Sequence, residues 1–158
     1  MKFFTFISIL LFPLLLSGQW EIQHTGFADS LTGLEQISVV DENIAWAVAF
    51  DGLNGNPTDQ FTRTTDGGQT WTTGTVSNVA GMKATAIFAL SADTAWAMFY
   101  DPVNDGGKVM FTGNGGLSWT HQSTALFTDS LEAYPNLIYF WNDMEGFCMG
   151  DPNNGSFE

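Results

Sequence analysis

The chain is poor in positive charge: its 158 residues hold four Lys and Arg against seventeen Asp and Glu, for a formal net charge of −13. That imbalance excludes phosphate-backbone recognition, so nucleic acid is not an expected partner. One cysteine, Cys148, excludes an internal disulfide, and its place in a Phe-Cys-Met run suits a small buried hydrophobe. The two histidines, His24 and His121, lie far apart, with neither a nucleophile motif nor a paired imidazole beside them. Zinc and iron sites are thereby excluded as expectations. The apolar run from Phe6 to Leu16 is too short to cross a bilayer, and no longer one follows, so a spanning protein is not expected.

That run begins after Met1-Lys2 and ends at Ser17-Gly18, the pattern of a secretory signal peptide. Residues 1–18 are therefore read as removed on export, which leaves three basic residues in the mature chain. The acidic residues are scattered rather than blocked, as expected of turns and a solvated surface.

What the chain has in abundance is repetition. Thr64-Thr65-Asp66-Gly67-Gly68-Gln69-Thr70-Trp71 returns 48 residues later as Thr112-Gly113-Asn114-Gly115-Gly116-Leu117-Ser118-Trp119. Ala45-Trp46-Ala47 matches Ala95-Trp96-Ala97 at a shift of 50, and Gly146-Phe147-Cys148 continues the series. Asp51, Asp101 and Asp151 keep the same spacing, as do Asn54, Asn104 and Asn154. A period of about 50 residues with short apolar strands and Gly-rich turns is that of a four-stranded propeller blade. The fold expected is all-β, with about two and three-quarter blades of four antiparallel strands.

Blade one is placed at 34–74, blade two at 84–122 and a partial blade three at 136–158. Residues 20–23, led by Trp20, read as the last strand of a closing blade. The fourth strands of blades one and two are expected to begin at Thr70 and Leu117. So few blades cannot close a ring, which typically needs about four to eight. The sequence therefore reads as a piece of a larger propeller, or as an open array closed by a second copy. Its partners would then include the remaining blades of its own chain or a homo-oligomer. A third octet would fall just beyond Glu158.

The octet [Ser/Thr]-x-Asp-x-Gly-x-[Thr/Ser]-Trp resembles the Asp-box, or bacterial neuraminidase repeat. Thr64, Asp66, Gly68, Thr70 and Trp71 match it throughout; Thr112, Asn114, Gly116, Ser118 and Trp119 match except at Asn114. An aspartate can accept turn amides, glycines admit positive φ and the tryptophan anchors the turn. The octets are accordingly expected to be structural. Together with Gln36-Ile37-Ser38 and Gly150-Asp151-Pro152, they resemble exported photosystem II stability/assembly factor-like and sortilin-like repeat proteins of Bacteroidetes type. That resemblance implies a Gram-negative exported protein, secreted or at the cell surface, and in many such chains a type IX sorting domain.

Strand alternation puts the octets on one face and the Asp-x-x-Asn turns on the other, and in sialidase-like propellers the ligand face is the one opposite the boxes. The candidate binding face is therefore Asp51, Asn54, Asp101, Asn104, Asp105, Asp151, Asn153 and Asn154. Phe27, Asp29, Phe127, Asp129, Glu132 and Tyr134 join it from the longer connections. A sialidase would need several arginines to clamp a carboxylate, and Arg63 is the only one. No catalytic residue and no cofactor is expected; Asp101 to Asp105 offers oxygen ligands to calcium but lacks the alternation of an EF-hand loop. The function expected is a non-enzymatic recognition or adhesion scaffold for extracellular protein or glycan. A fragment of an Asp-box carbohydrate-active hydrolase and an assembly factor for a membrane complex are the alternatives.

Overall fold

A computed structural model describes residues 22–125, 127 and 134–151. The proposed signal peptide, Trp20, Asp129, Glu132, Asn153 and Asn154 lie outside them. Among the described residues, ten strands form three separate antiparallel sheets. The first is β1 (Thr32–Val39), β2 (Ala45–Asp51), β3 (Gln60–Thr64) and β4 (Thr72–Thr75), paired in that order. The second repeats it with β5 (Lys83–Ala89), β6 (Ala95–Tyr100), β7 (Gly107–Thr112) and β8 (Thr120–His121). The third contributes β9 (Pro135–Phe140) and β10 (Gly146–Gly150). The fold is all-β, and its sheets are successive blades of an open propeller.

The fourth strands start later than expected. The octet turn occupies the chain through Trp71 and Trp119, so pairing begins only at Thr72 and Thr120. Of the expected closing strand, Ile22 and Gln23 are described and belong to no strand. Side chains tie that segment down instead: the Trp71 indole donates to Gln23 and the Thr62 hydroxyl donates to the Thr25 carbonyl.

Period-two patterning stacks the sheets. On β6 alternate residues enter two different clusters: Ala95, Ala97 and Phe99 face blade one, while Trp96 and Met98 face blade three. A strand buried on both sides must be apolar at every position, which is why Ala95–Tyr100 shows no polar alternation. Between blades one and two, Trp46 is fully buried and stacks on Phe61 at 5.5 Å, with Trp119 edge-on to both. Two polar straps cross the same interface, where Gln36 Oε1 and Ser38 Oγ accept from the amides of Ile87 and Ala89 at 2.6 and 3.0 Å. Between blades two and three the contact is aromatic, with Trp96 stacked on Phe140 at 3.7 Å.

The turns repeat with the sheets. Asp41, Ser91 and Asn142 each accept from the two amides that follow at positions plus two and plus three. The innermost strands share an irregularity as well, since the pairing register slips at Glu35 in β1, Thr85 in β5 and Asn136 in β9. Such bulges re-aim one side chain without ending the ladder.

Candidate binding site

The octets fold as hydrogen-bonded turns. Thr64 Oγ1 donates to Asp66 Oδ1 at 2.8 Å and accepts from the Gly68 amide at 2.9 Å. Asp66 accepts further from the Thr70 amide at 2.9 Å and the Thr70 hydroxyl at 2.6 Å. Those Thr70 bonds, followed by that of Thr64, hold the Asp66 carboxyl below its usual range. In the second octet Asn114 Oδ1 accepts from Thr112 Oγ1 and the Ser118 amide, while Asn114 Nδ2 donates to Ser118 Oγ at 2.8 Å. The hydroxyl that donates in one copy accepts in the other. Gly67 and Gly115 also donate to the carbonyls of Asn43 and Asp93, which ties each octet to the turn between its blade's first two strands.

Gly116 shows why this turn needs glycine. Its φ is +83°, and a Cβ there would run into the Phe61 ring of blade one. Arg63 is also committed to this end of the molecule. Its guanidinium lies 5.1 Å from the Trp46 ring, donates to the Ala92 carbonyl and approaches Asp93 at 3.8 Å. It fastens blade one to blade two on the octet face.

On the opposite face, the aspartates at the ends of β2 and β6 serve their own turns. Asp51 accepts from the amides of Leu53, Asn54 and Asn56, and Asp101 accepts from those of Val103 and Asn104 and from the Asn104 side chain. These bonds lower both carboxyls, for Asp51 led by the Leu53 amide and for Asp101 by the Asn104 side chain. Asp51 and Asn54 line a shallow, polar cleft of about 290 Å³ with Asp29 and Asp59. Asp151 accepts from the Asn136 side chain beside it. The Asn-Gly signal is read differently by the chain than expected: of Asn54 and Gly55 the glycine alone takes positive φ, and its counterpart Asp105 takes it at +58° although it is not glycine.

A cleft of about 300 Å³ opens on this face where the innermost strands converge. Glu35 enters it from the β1 bulge, Lys83 from the start of β5, Tyr100 from the end of β6 and Tyr134 from the approach to β9, with Phe50 and Asn56 on the rim. The two tyrosine rings lie 5.0 Å apart, and Tyr100 donates its hydroxyl to Asp105 Oδ1 at 2.7 Å. That bond pushes the Tyr100 hydroxyl up, with burial adding to it; burial, then Glu35 and Asp151, push Tyr134 up. Both rings therefore stay neutral. Asp105 spends an unfavourable backbone conformation at a place where the sister turn has glycine, which costs on the order of 1 kcal/mol.

Sequence reading put Asp105 and Tyr134 on this face but missed Glu35, Lys83 and Tyr100. For Glu35 the missed signal was the register slip of β1, which no spacing of residue types announces; Lys83 and Tyr100 are cross-strand partners at the mouth. Phe127, which the sequence adds to the candidate face from its connection, is buried against Gly106 and Gly150. Cys148 is half-buried against the blade-two cluster, and burial pushes its thiol up. Among the described residues no three His, Cys, Asp or Glu side chains come together to hold a metal ion, and no helix is long and apolar enough to cross a membrane.

Stacked four-stranded meanders with fastened turns at one end and an axial cleft at the other are the architecture of a β-propeller. No family model and no curated protein matches the chain. Among solved structures it is similar to one described as YCF48 bound to D1 peptide, with a TM-score of 0.53 at 22% identity. The match covers 80% of this chain and 36% of that one, so the chain spans little more than a third of its structural relative.

Proposed function

We propose that this chain is part of an exported, non-enzymatic recognition scaffold that binds a segment of a partner protein at the axial cleft. The observation that carries the reading is the convergence of side chains from β1, β5 and β6 and from the approach to β9 on one cleft opposite the fastened turns. Ligand pockets form where several rigid elements present single side chains to a common space. A peptide partner is in keeping with the structural relative, whose description names a bound peptide. The signal-peptide character of residues 1–18 supports secretion or display at the cell surface. Service as an assembly factor for a membrane complex would be one case of this activity. Leu34, Ile37 and Val39 on blade one and Tyr139, Trp141 and Phe147 on blade three are exposed, and further blades or a second copy would cover them.

Hydrolysis finds little support. Asp51 and Asp101 are engaged as turn acceptors, the Tyr100 hydroxyl is harder to ionise than usual, and the single arginine is on the other face. A photo-crosslinking residue at Asn56, on the cleft rim, is expected to capture a protein partner, and the same residue at exposed Leu117 on the octet face is not. Equal capture from both positions, or release of sugar from any glycan by the intact protein, would overturn the reading.

A further inference from the structure

We infer that the axial cleft selects a cationic side chain, the guanidinium of arginine or the ammonium of lysine, on the partner segment; this rests on the recognition reading above. The cleft offers a cation two kinds of attraction at one place. Tyr100 and Tyr134 present a pair of neutral rings 5.0 Å apart, and a cation over a tyrosine face is attracted by the ring quadrupole. Glu35, set into the same cleft by the bulge of β1, supplies a carboxylate. Among the described residues it forms no ion pair, because the single salt bridge there joins Arg63 to Asp93. A charge-assisted bond to this carboxylate is therefore open to a ligand.

Lys83 lines the same space and sets the sign of the test. It lowers affinity for any cation and raises it for any anion, while Glu35 does the reverse. Asp105 acts as a positioning residue. It holds the Tyr100 hydroxyl, and so the ring, from a backbone conformation that its sister turn gives to glycine.

The experiment is a titration of the full chain, followed by its backbone amide resonances, with three probes: N-acetyl-arginine methylamide, N-acetyl-glutamate methylamide and N-acetylglucosamine. The arginine probe is expected to shift the amides of Glu35, Lys83, Tyr100 and Tyr134. Glu35→Gln is expected to weaken it roughly tenfold, the size of one charge-assisted bond. Lys83→Gln should tighten it about two- to threefold. Both residues sit at the cleft surface, and unchanged resonances from β6 in each variant show that it is folded. Shifts by the glutamate probe, with the two variants moving its affinity in opposite senses, would overturn the cation assignment while leaving the cleft as a recognition site. Shifts by the sugar alone, indifferent to both charges, would do the same in favour of glycan. If no probe moves these amides, the cleft is not selective for a side chain, and the scaffold reading is judged separately by its crosslinking result.

Discussion

The two octets are the same turn built twice, and they differ in what lies behind them. Within each turn the threonine hydroxyl, the Asp or Asn side chain and the glycine amides make matching bonds. Behind the first, Trp71 is half-buried and its indole donates to Gln23. Behind the second, Trp119 is 6% exposed and wedged between Trp46 and Phe61. Hydrogen bonding in this motif is a local property, whereas its energetic weight is set by the neighbouring blade.

Substituting the two tryptophans should break the comparison most widely. Trp119→Ala is expected to cost about 3–5 kcal/mol in denaturant unfolding, as for a large aromatic lost from a core. Trp71→Ala should cost no more than about half of that, because much of its surface is already wet. Equal losses would mean that the rear of blade one is covered in solution.

The threonines should restore the symmetry. Thr64→Val and Thr112→Val each remove a buried hydroxyl that satisfies a glycine amide, and each is expected to cost about 1–2 kcal/mol. A large difference between them would show that the turns are not equivalent after all.

The smallest effect distinguishes charge from its absence. Because Asp66 is held below the ordinary aspartate value of 3.8, its contribution is present above that value and is lost as pH falls through its lower folded value. Asn114 carries no such dependence. Asp66→Asn should therefore be close to neutral in stability at pH 7, since Asn114 makes the corresponding bonds, and it should flatten acid unfolding below pH 3.8. An acid-unfolding curve identical to that of the unsubstituted chain would remove Asp66 from the titration.

The same division explains what could be seen in advance. The blade period, the strand alternation and the turn chemistry are local, so Ala45-Trp46-Ala47 and the octets announce them directly. The burial of Trp119 and the wetter position of Trp71 come from opposite neighbours and leave no mark on two nearly identical octets. Likewise Asp51 and Asp101 stand out by their spacing, yet that regularity reflects their shared work in turns. Glu35, Lys83 and Tyr100 occupy unrelated sequence positions and meet because β5 pairs Lys83 with Tyr100 on β6 and packing of blade one on blade two brings Glu35 of β1 beside them.

The slip in the inner strand of every blade has a consequence for how such a mouth diversifies. At Glu35, Thr85 and Asn136 the backbone has already made room for an extra residue, so the hydrogen-bond ladder on either side is indifferent to which side chain stands there. One acid, one hydroxyl and one amide occupy these places in this chain. Of the three, Glu35 lines the axial cleft, so on blade one the slip supplies the mouth with a side chain that can be rewritten without respelling the sheet.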